Sequence, residues 1–576
     1  MHKTCPIQFF KEVGRPDLCE KITPESAWIY YSMEIAVDGL RFAGGLGILA
    51  GDILLECQKL NIPFYGVTLY YPVCQTQTFE GSFTPKDLSL CIFDPQALGF
   101  EKHDSVIVFA NNDEIKLEVY KKNKGSANII ALYEPGLGEP YQDAKESDHR
   151  LYQEMVLGFG GHLALKRMGI NPSILHLNEA ASVFASLALL DDICKESDDL
   201  YSAIKAVRQK TLFTNHTLVQ AAEAIFSRDQ LERYIFKNLS SGKVKTWLDI
   251  LLKNEKDRLN LSTLAIALSG NINAVSKLHA TIATGQFYSS DGSLVNFYPI
   301  TNGVNLDRWT FPSLLQIYKE TEILDKNDLP TKDYKKKIIQ LPSEKVLQIK
   351  KEARKKLRAY LKEKRVDQKG EGIDIEEEAI IASWARRLVD YKRPKMIFDK
   401  PDKLASVIGK HDIYILISGK SHPGDEVMRQ EIKQILATAR DAPILETRVH
   451  YVQDYDDELA FNLVTGSDIW LNTPIVGMEA CGTSIWKAIA NMTILLSTID
   501  GGAADIQPPA YIPIRGEFFR EEVDSLYEGL EAGAKILSDS DLWLNFVKHQ
   551  LITYLPTISV SRMIRDYLNF VFSKKL

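Results

Sequence analysis

Only seven cysteines are scattered through 576 residues, and none stand as close pairs. That spacing excludes a zinc-ligand pattern and a dense disulfide framework, so no metal is expected and a reducing compartment fits best. Long apolar runs are also missing. The first residues lack the apolar stretch of a signal peptide, and nothing later is long enough to span a bilayer. The expectation is a cytoplasmic protein with no membrane partner. A basic surplus is absent as well: the formal charge is -7, which leaves no broad cationic face for a polyphosphate backbone and argues against nucleic acid. Any phosphate it binds should be small and pocketed. Internal repeats and low-complexity tracts are not visible.

What is present is the balance of an ordinary globular protein, 45% hydrophobic and 25% charged. The length exceeds one hydrophobic core and predicts two domains. An apolar run at 27–32 precedes the glycine cluster Gly44-Gly45-Leu46-Gly47 and a helical pattern. From Val73 to Glu134 the pattern alternates, as in Ile115-Lys-Leu-Glu-Val-Tyr, which predicts an antiparallel insertion. Helix and strand then take turns up to Thr214. A lysine- and glutamate-rich stretch from Pro312 to Gly372 reads as a solvated helical connection. Beyond it, short apolar strands near 379–384, 413–417, 449–452, 469–472 and 493–497 alternate with amphipathic helices, the signature of a parallel doubly wound sheet. The expected organisation is therefore 1–311, with its insertion near 73–134, then a connection at 312–372, then 373–576. The last helix is a candidate to return to the first domain. Two such α/β domains leave a cleft, and open parallel sheets bind ligands beyond the carboxyl ends of their strands.

Three segments fall at such strand ends. In Glu479-Ala-Cys-Gly-Thr-Ser-Ile-Trp-Lys487 a polar, glycine-bearing turn enters a helix, whose free N–H groups suit an anion. Taken alone, Lys487 reads more readily as a surface charge than as a functional amine. Trp384-Ala-Arg386-Arg387-Leu-Val-Asp-Tyr391-Lys392-Arg393 places four cations around one turn, where like charges repel unless anions are present. An exposed basic cluster is the plain alternative. The Gly44–Gly47 turn follows Tyr30-Tyr-Ser-Met-Glu34, and its backbone donors suit an anion.

Together these segments resemble the α-glucan phosphorylases, in the short form found in bacteria and archaea. The cofactor-lysine motif carries the likeness most specifically. Further matches occur in the same order as in that family: His176-Leu-Asn178-Glu179, Thr214-Asn-His216-Thr217, Asn273 to His279, Thr301-Asn302-Gly303 with Trp309, Ser418-Gly-Lys420 and Asp454-Tyr455. The likeness runs from about Ala27 to Phe572. It implies two Rossmann-like domains facing across a cleft, the GT-B type glycosyltransferase architecture. The implied reaction is reversible phosphorolysis of the non-reducing end of glycogen, a starch-like glucan or maltodextrin to α-glucose 1-phosphate with retention. The implied cofactor is pyridoxal 5'-phosphate, held by Lys487 as a Schiff base.

By the same resemblance Thr483 and Ser484 lie at the cofactor phosphate, and Trp309 and Tyr455 pack around the pyridoxal. Arg387 and Lys392 hold the substrate phosphate and Arg386 faces the cofactor phosphate. Gly45 and Leu46 turn their amides to phosphate and sugar, and His216 sits at the reacting sugar. Glu34, Glu179 and Asn302 line the active site, and Glu479 with the Ala480-Cys481-Gly482 backbone holds sugar hydroxyls. A homodimer is the family's usual assembly, and nucleotide or phosphorylation control is not expected. The chain departs from the family at Ala181, Val389, Asp456 and the bulky Ile485-Trp486 pair. Two rivals stay open on sequence: a sugar-nucleotide glycosyltransferase of similar architecture, and an inactive glycan-binding relative.

Overall fold

The computed structural model describes residues 5–72, 75–80, 84–89, 94–141, 143–196, 199–218, 223–288, 292–422 and 425–573. The chain divides into two compact units, each described below on its own. The first comprises Met1–Cys74, Cys91–Ile300 and Ile564–Leu576, and the second Gln75–Leu90 and Thr301–Met563.

The first unit is built on a nine-stranded sheet. Its strands are β1 (Ser26–Tyr31), β2 (Phe64–Leu69), β3 (Glu101–Ala110), β4 (Asp113–Lys124), β5 (Ala127–Tyr133), β6 (Asn171–Asn178), β7 (Thr211–Asn215), β8 (Asn271–Ala274) and β9 (Tyr298–Pro299). They lie in the order β9-β8-β7-β6-β1-β2-β5-β4-β3. Every neighbouring pair from β9 to β5 is parallel, and only β5–β4 and β4–β3 are antiparallel. Burial follows the pairing. Phe64-Tyr-Gly-Val-Thr-Leu69 in β2 is buried throughout, as a parallel strand covered on both faces must be. In β3, Val106, Val108 and Ala110 are buried and alternate with less buried neighbours, so one face meets solvent.

The alternation near 73–134 marks the antiparallel strands at one edge of the main sheet. Its third strand, β5, joins the parallel body by pairing with β2. The antiparallel hairpin Gln75–Glu80 and Thr84–Ser89 groups with the second unit; Val73, where the insertion was expected to open, lies outside the described residues. Cys5 and Cys19 form a disulfide, with Cα atoms 5.4 Å apart. The two cysteines stand 14 positions apart beside the short helices Gln8–Glu12 and Leu18–Lys21, and one such bridge is not the dense disulfide framework that the spacing argued against.

The second unit carries a six-stranded, wholly parallel sheet of β10 (Ile380–Ala385), β11 (Ile413–Ser418), β12 (Val449–Tyr451), β13 (Ile469–Asn472), β14 (Ile494–Thr498) and β15 (Ile512–Ile514), ordered β12-β11-β10-β13-β14-β15. The order reverses between β10 and β13, the kind of switch point beyond which open sheets bind ligands. The charged stretch expected to connect the domains folds inside this unit. Its helix α1 (Ser343–Lys364) buries Val346, Ile349, Ala353, Leu357 and Leu361 along one face. Leu357 lies against Gly466, where an added Cβ would come within 2.4 Å of the leucine Cβ.

Candidate active site

Between β13 and the helix α2 (Ser484–Ala490) runs the loop 473–483. Lys487 sits on α2 and is 4% exposed, with its ammonium 3.2 Å from the centroid of the Trp309 ring. That contact distance gives a strong cation–π attraction, because both groups are out of water. Ile485 and Trp486, the bulky pair before the lysine, are buried. Trp486 packs against Tyr554 at 5.8 Å between ring centroids, so their bulk is absorbed by core packing. Ser484 Oγ accepts from Arg386 Nη2 at 3.0 Å and from Trp470 Nε1 at 3.3 Å. With two donors on that oxygen, its own O–H remains to meet an acceptor. Thr483 precedes α2 in a helical conformation with no side-chain capping bond.

Arg386 follows the end of β10. It is 5% exposed, and its Nη1 donates to Glu479 Oε2 at 3.0 Å. The Lys392 ammonium lies 3.6 Å from Glu479 Oε1. Burial pushes the Glu479 carboxyl up, but Lys392 and Arg386 pull it down further, and it ends below its ordinary value. Burial lowers Lys392 to about 8; Glu479 opposes that shift, and the neighbouring Arg386 and Arg387 reinforce it. A buried arginine and a half-buried lysine thus share one carboxylate, and Arg386 Nε is buried without a hydrogen-bond partner. Gly482 makes this arrangement possible, since a Cβ there would lie 2.2 Å from Glu479 Oε1.

The other two cations of the turn behave differently. Arg387 is exposed. Arg393 adopts φ 49° and is a structural clamp: it pairs with Glu522 at 2.5 Å and donates to the carbonyls of Thr473 and Pro474 at 2.9 and 2.8 Å. Thr473 Oγ1 donates back to Lys392 O at 2.8 Å, and Ile475 N donates to Tyr391 O at 2.8 Å. The cation turn and the loop before α2 are therefore laced together.

Asn302 is buried with Oδ1 lacking a partner. It belongs to the second unit, not to the first as the 1–311 boundary anticipated. Ala480, Cys481 and Gly482 turn past Gly501 and Gly502, where an added Cβ would strike the Glu479 carbonyl or the Cys481 sulfur at 2.9 and 2.8 Å. Burial pushes the Cys481 thiol up to about 12, so it stays protonated. Tyr455 is half-buried. Beside it, Asp456 caps the helix Asp457–Gly466 by accepting from Leu459 N at 2.8 Å, and it takes both oxygens' worth of Arg365 at 2.6 Å. Asp456, one of the positions where the chain departs from the family, is thus matched by an arginine arriving from the end of α1.

The remaining predicted residues lie in the first unit. Glu34 is buried and accepts from Ala43 N at 2.5 Å and Gly47 N at 3.0 Å, which pins the glycine turn to the helix Gly45–Lys59. A Cβ on Gly47 would meet Phe42 Cβ at 2.9 Å and the Glu34 side chain at 3.0 Å. Gly45 is exposed and Leu46 half-buried. Glu179, at φ 76°, accepts from His216 N and Thr217 Oγ1, both at 2.7 Å. Burial raises its carboxyl. Burial, then His279, lowers His216 to about 3, so it is neutral, and its Nε2 is buried with no partner. His176 is structural: it accepts from Trp28 Nε1 at 3.3 Å and reaches Thr214 Oγ1 at 2.7 Å. Ala181 packs half-buried against the core.

The predicted residues thus fall into two groups, Glu34, Gly45, Leu46, Glu179 and His216 in one unit and the rest in the other. Sequence reasoning missed three contributors in the second. Asp500 accepts from Glu479 N at 2.9 Å and Gly501 N at 2.8 Å; an acid followed by two glycines at the end of β14 was the available signal. Asn491 acts through backbone contacts, and Arg365 through the Asp456 carboxylate and the Asp454 carbonyl, and no spacing announces either. Among the described residues no three His, Cys, Asp or Glu are grouped to hold a metal, and no helix is long and apolar enough to cross a membrane.

Residues 171–510 match a family model described as carbohydrate phosphorylase. The chain is 28% identical to the glycogen phosphorylase of Aquifex aeolicus, over 93% of this chain and 84% of that one. It is 26% identical to the maltodextrin phosphorylase of Thermococcus litoralis, covering 96% and 73%, and 26% identical to the glycogen phosphorylase of Mycobacterium tuberculosis H37Rv, covering 94% and 70%.

Proposed function

The chain belongs to the carbohydrate phosphorylase family, and from that premise we propose that it is an α-glucan phosphorylase, releasing α-glucose 1-phosphate from the non-reducing end of a glucan with retention. The observation that carries this reading is the Arg386–Glu479–Lys392 cluster. A buried Arg386 and a half-buried Lys392 on one buried carboxylate leave a net positive charge in a site largely withdrawn from water, and Arg386 Nε has no acceptor. An inorganic phosphate answers that imbalance, with Arg387 closing on it from the exposed side.

The residues present also fit pyridoxal 5'-phosphate. Lys487 offers a buried amine beside an indole face, Ser484 has an O–H to spare, and Arg386 reaches Ser484 from the phosphate side. Lys487 would tether the cofactor, with Trp309 and Tyr455 against its ring. Bound there, the cofactor supplies a second phosphate that supports proton transfer by the first.

The chain's own residues have three tasks. Arg386, Arg387 and Lys392 hold phosphate where the glycosidic oxygen is protonated and the sugar cation captured, and their charge is pre-organised rather than recruited. Asn302 Oδ1 and His216 Nε2, both buried without hydrogen-bond partners, are polar atoms available to sugar hydroxyls. Exclusion of water favours phosphate over hydrolysis. The two-domain cleft of the GT-B type, a homodimeric assembly and a cytoplasmic location belong to the same proposal.

The test pairs two readouts on one preparation. With maltodextrin and phosphate, glucose 1-phosphate should form in proportion to phosphate. Borohydride should fix a pyridoxyl group on Lys487, found by peptide mass. Free glucose without phosphate, or transfer only from a nucleotide sugar with no pyridoxyl peptide, refutes the proposal.

A further inference from the structure

Asn491 lies one residue past α2, 1% exposed, and its side-chain amide is fully used. Its Nδ2 donates to Trp309 O at 2.7 Å and to Lys487 O at 2.8 Å, and its Oδ1 accepts from Phe311 N at 2.8 Å. One side chain therefore bridges the backbone of the tryptophan to the backbone of the lysine that lies on its ring. The anchor itself is fixed. Tyr318 Oη donates to Ala490 O at 3.0 Å and the buried Lys350 ammonium to Thr493 Oγ1 at 2.9 Å, on either side of Asn491, and Lys350 also donates to Ser467 O at 2.7 Å.

From this geometry we infer that Asn491 is the positioning residue of the cofactor tether: it sets the separation of Lys487 from the Trp309 face and so keeps the amine aimed into the site. The inference rests on Lys487 being the tether. The physical reason is directional. A lysine side chain has four rotatable bonds and needs both ends constrained, and a cation–π contact constrains only the ammonium. The Asn491 bridge constrains the backbone end relative to the ring, so a displacement of either segment is felt by the other. Loss of that amide would leave the buried Trp309 carbonyl and the Phe311 N–H without the bonds it supplies, and Lys487 O with only the longer bond from Asn491 N at 3.2 Å, which would free that separation.

The experiment uses holoenzyme variants Asn491→Asp, Asn491→Leu and Gln550→Leu. Gln550 is an equally buried amide in the same unit, donating to Thr493 O at 2.8 Å and accepting from Leu495 N at 3.2 Å, and neither bond involves Lys487 or Trp309. Cofactor loss on dilution is followed by absorbance, well below each unfolding midpoint, together with the pyridoxyl yield at Lys487 after borohydride. If Asn491 positions the tether, its variants lose cofactor about tenfold faster than wild type, with a shifted absorbance-versus-pH midpoint. Gln550→Leu then lowers the unfolding midpoint alone. Asn491→Asp keeps the acceptor for Phe311 N and serves if the leucine variant does not fold. Cofactor retention unchanged in Asn491→Asp, or lost equally in Gln550→Leu, overturns the inference while leaving the tether intact. A wild-type protein with no pyridoxyl on Lys487 instead overturns the tether, and the inference with it.

Discussion

Raising the pH through 8 removes a proton that Lys392 holds weakly. Burial lowers this ammonium from 10.5 to about 8, with Glu479 resisting and Arg386 and Arg387 assisting. The charged form is the one that binds phosphate, so its contribution is complete below 8 and is lost as pH rises. A group with that pKa is half protonated at pH 8 and roughly one-tenth protonated at 9. The phosphate KM should therefore rise about fivefold over that unit and about tenfold over the next. Initial rates of glucose 1-phosphate formation, measured from pH 7 to 9.5 at several phosphate concentrations, give the profile. Two variants check the cause. Lys392→Arg stays charged throughout and should flatten the alkaline limb whatever its absolute rate. Glu479→Gln removes the attraction that favours the charged lysine and should move the limb to lower pH. An alkaline limb that persists in Lys392→Arg, or moves upward in Glu479→Gln, refutes the reasoning. The same shift has a stability consequence of defined sign. The folded chain binds fewer protons than the unfolded one between about 8 and 10.5, so this lysine makes stability rise with pH across that window.

Two further substitutions test the scaffold. Gly482→Ala places a methyl group 2.2 Å from Glu479 Oε1 and must displace the carboxylate between Arg386 and Lys392; phosphorolysis should fall by about tenfold or more while far-UV dichroism is unchanged. Asp456→Ala removes a helix cap and the partner of Arg365 and should cost about 1–2 kcal/mol in urea unfolding, with the pyridoxyl yield at Lys487 retained. A loss of tether in that variant would show that the acid serves the cofactor and not the helix.

Local pattern alone made much of this protein legible. Fully apolar strands such as β11, Ile413–Ser418, announce a sheet covered on both faces, and the alternation around Ile115 announces one exposed face. The glycine, cation and lysine segments could be read because each is contiguous. Tertiary structure alone decided the rest, because those relations join residues far apart in the chain. It put the edge strands β3 and β4 on the main sheet, and it gave the charged stretch 343–364 an apolar face to bury. Within the cation turn it separated Arg386 and Lys392, which converge on Glu479, from Arg393, which is spent on Glu522 and two carbonyls. It also turned Glu34 and Glu179 toward backbone amides, a use that residue type cannot reveal, since a carboxylate accepts from an amide as readily as from a sugar hydroxyl. Sequence by itself determined which chemical groups are available and the order of the elements that carry them. Folding determined which of those groups neutralise one another and which, like Arg386 Nε, are left wanting a partner, because charge and hydrogen-bond balance are properties of neighbours in space.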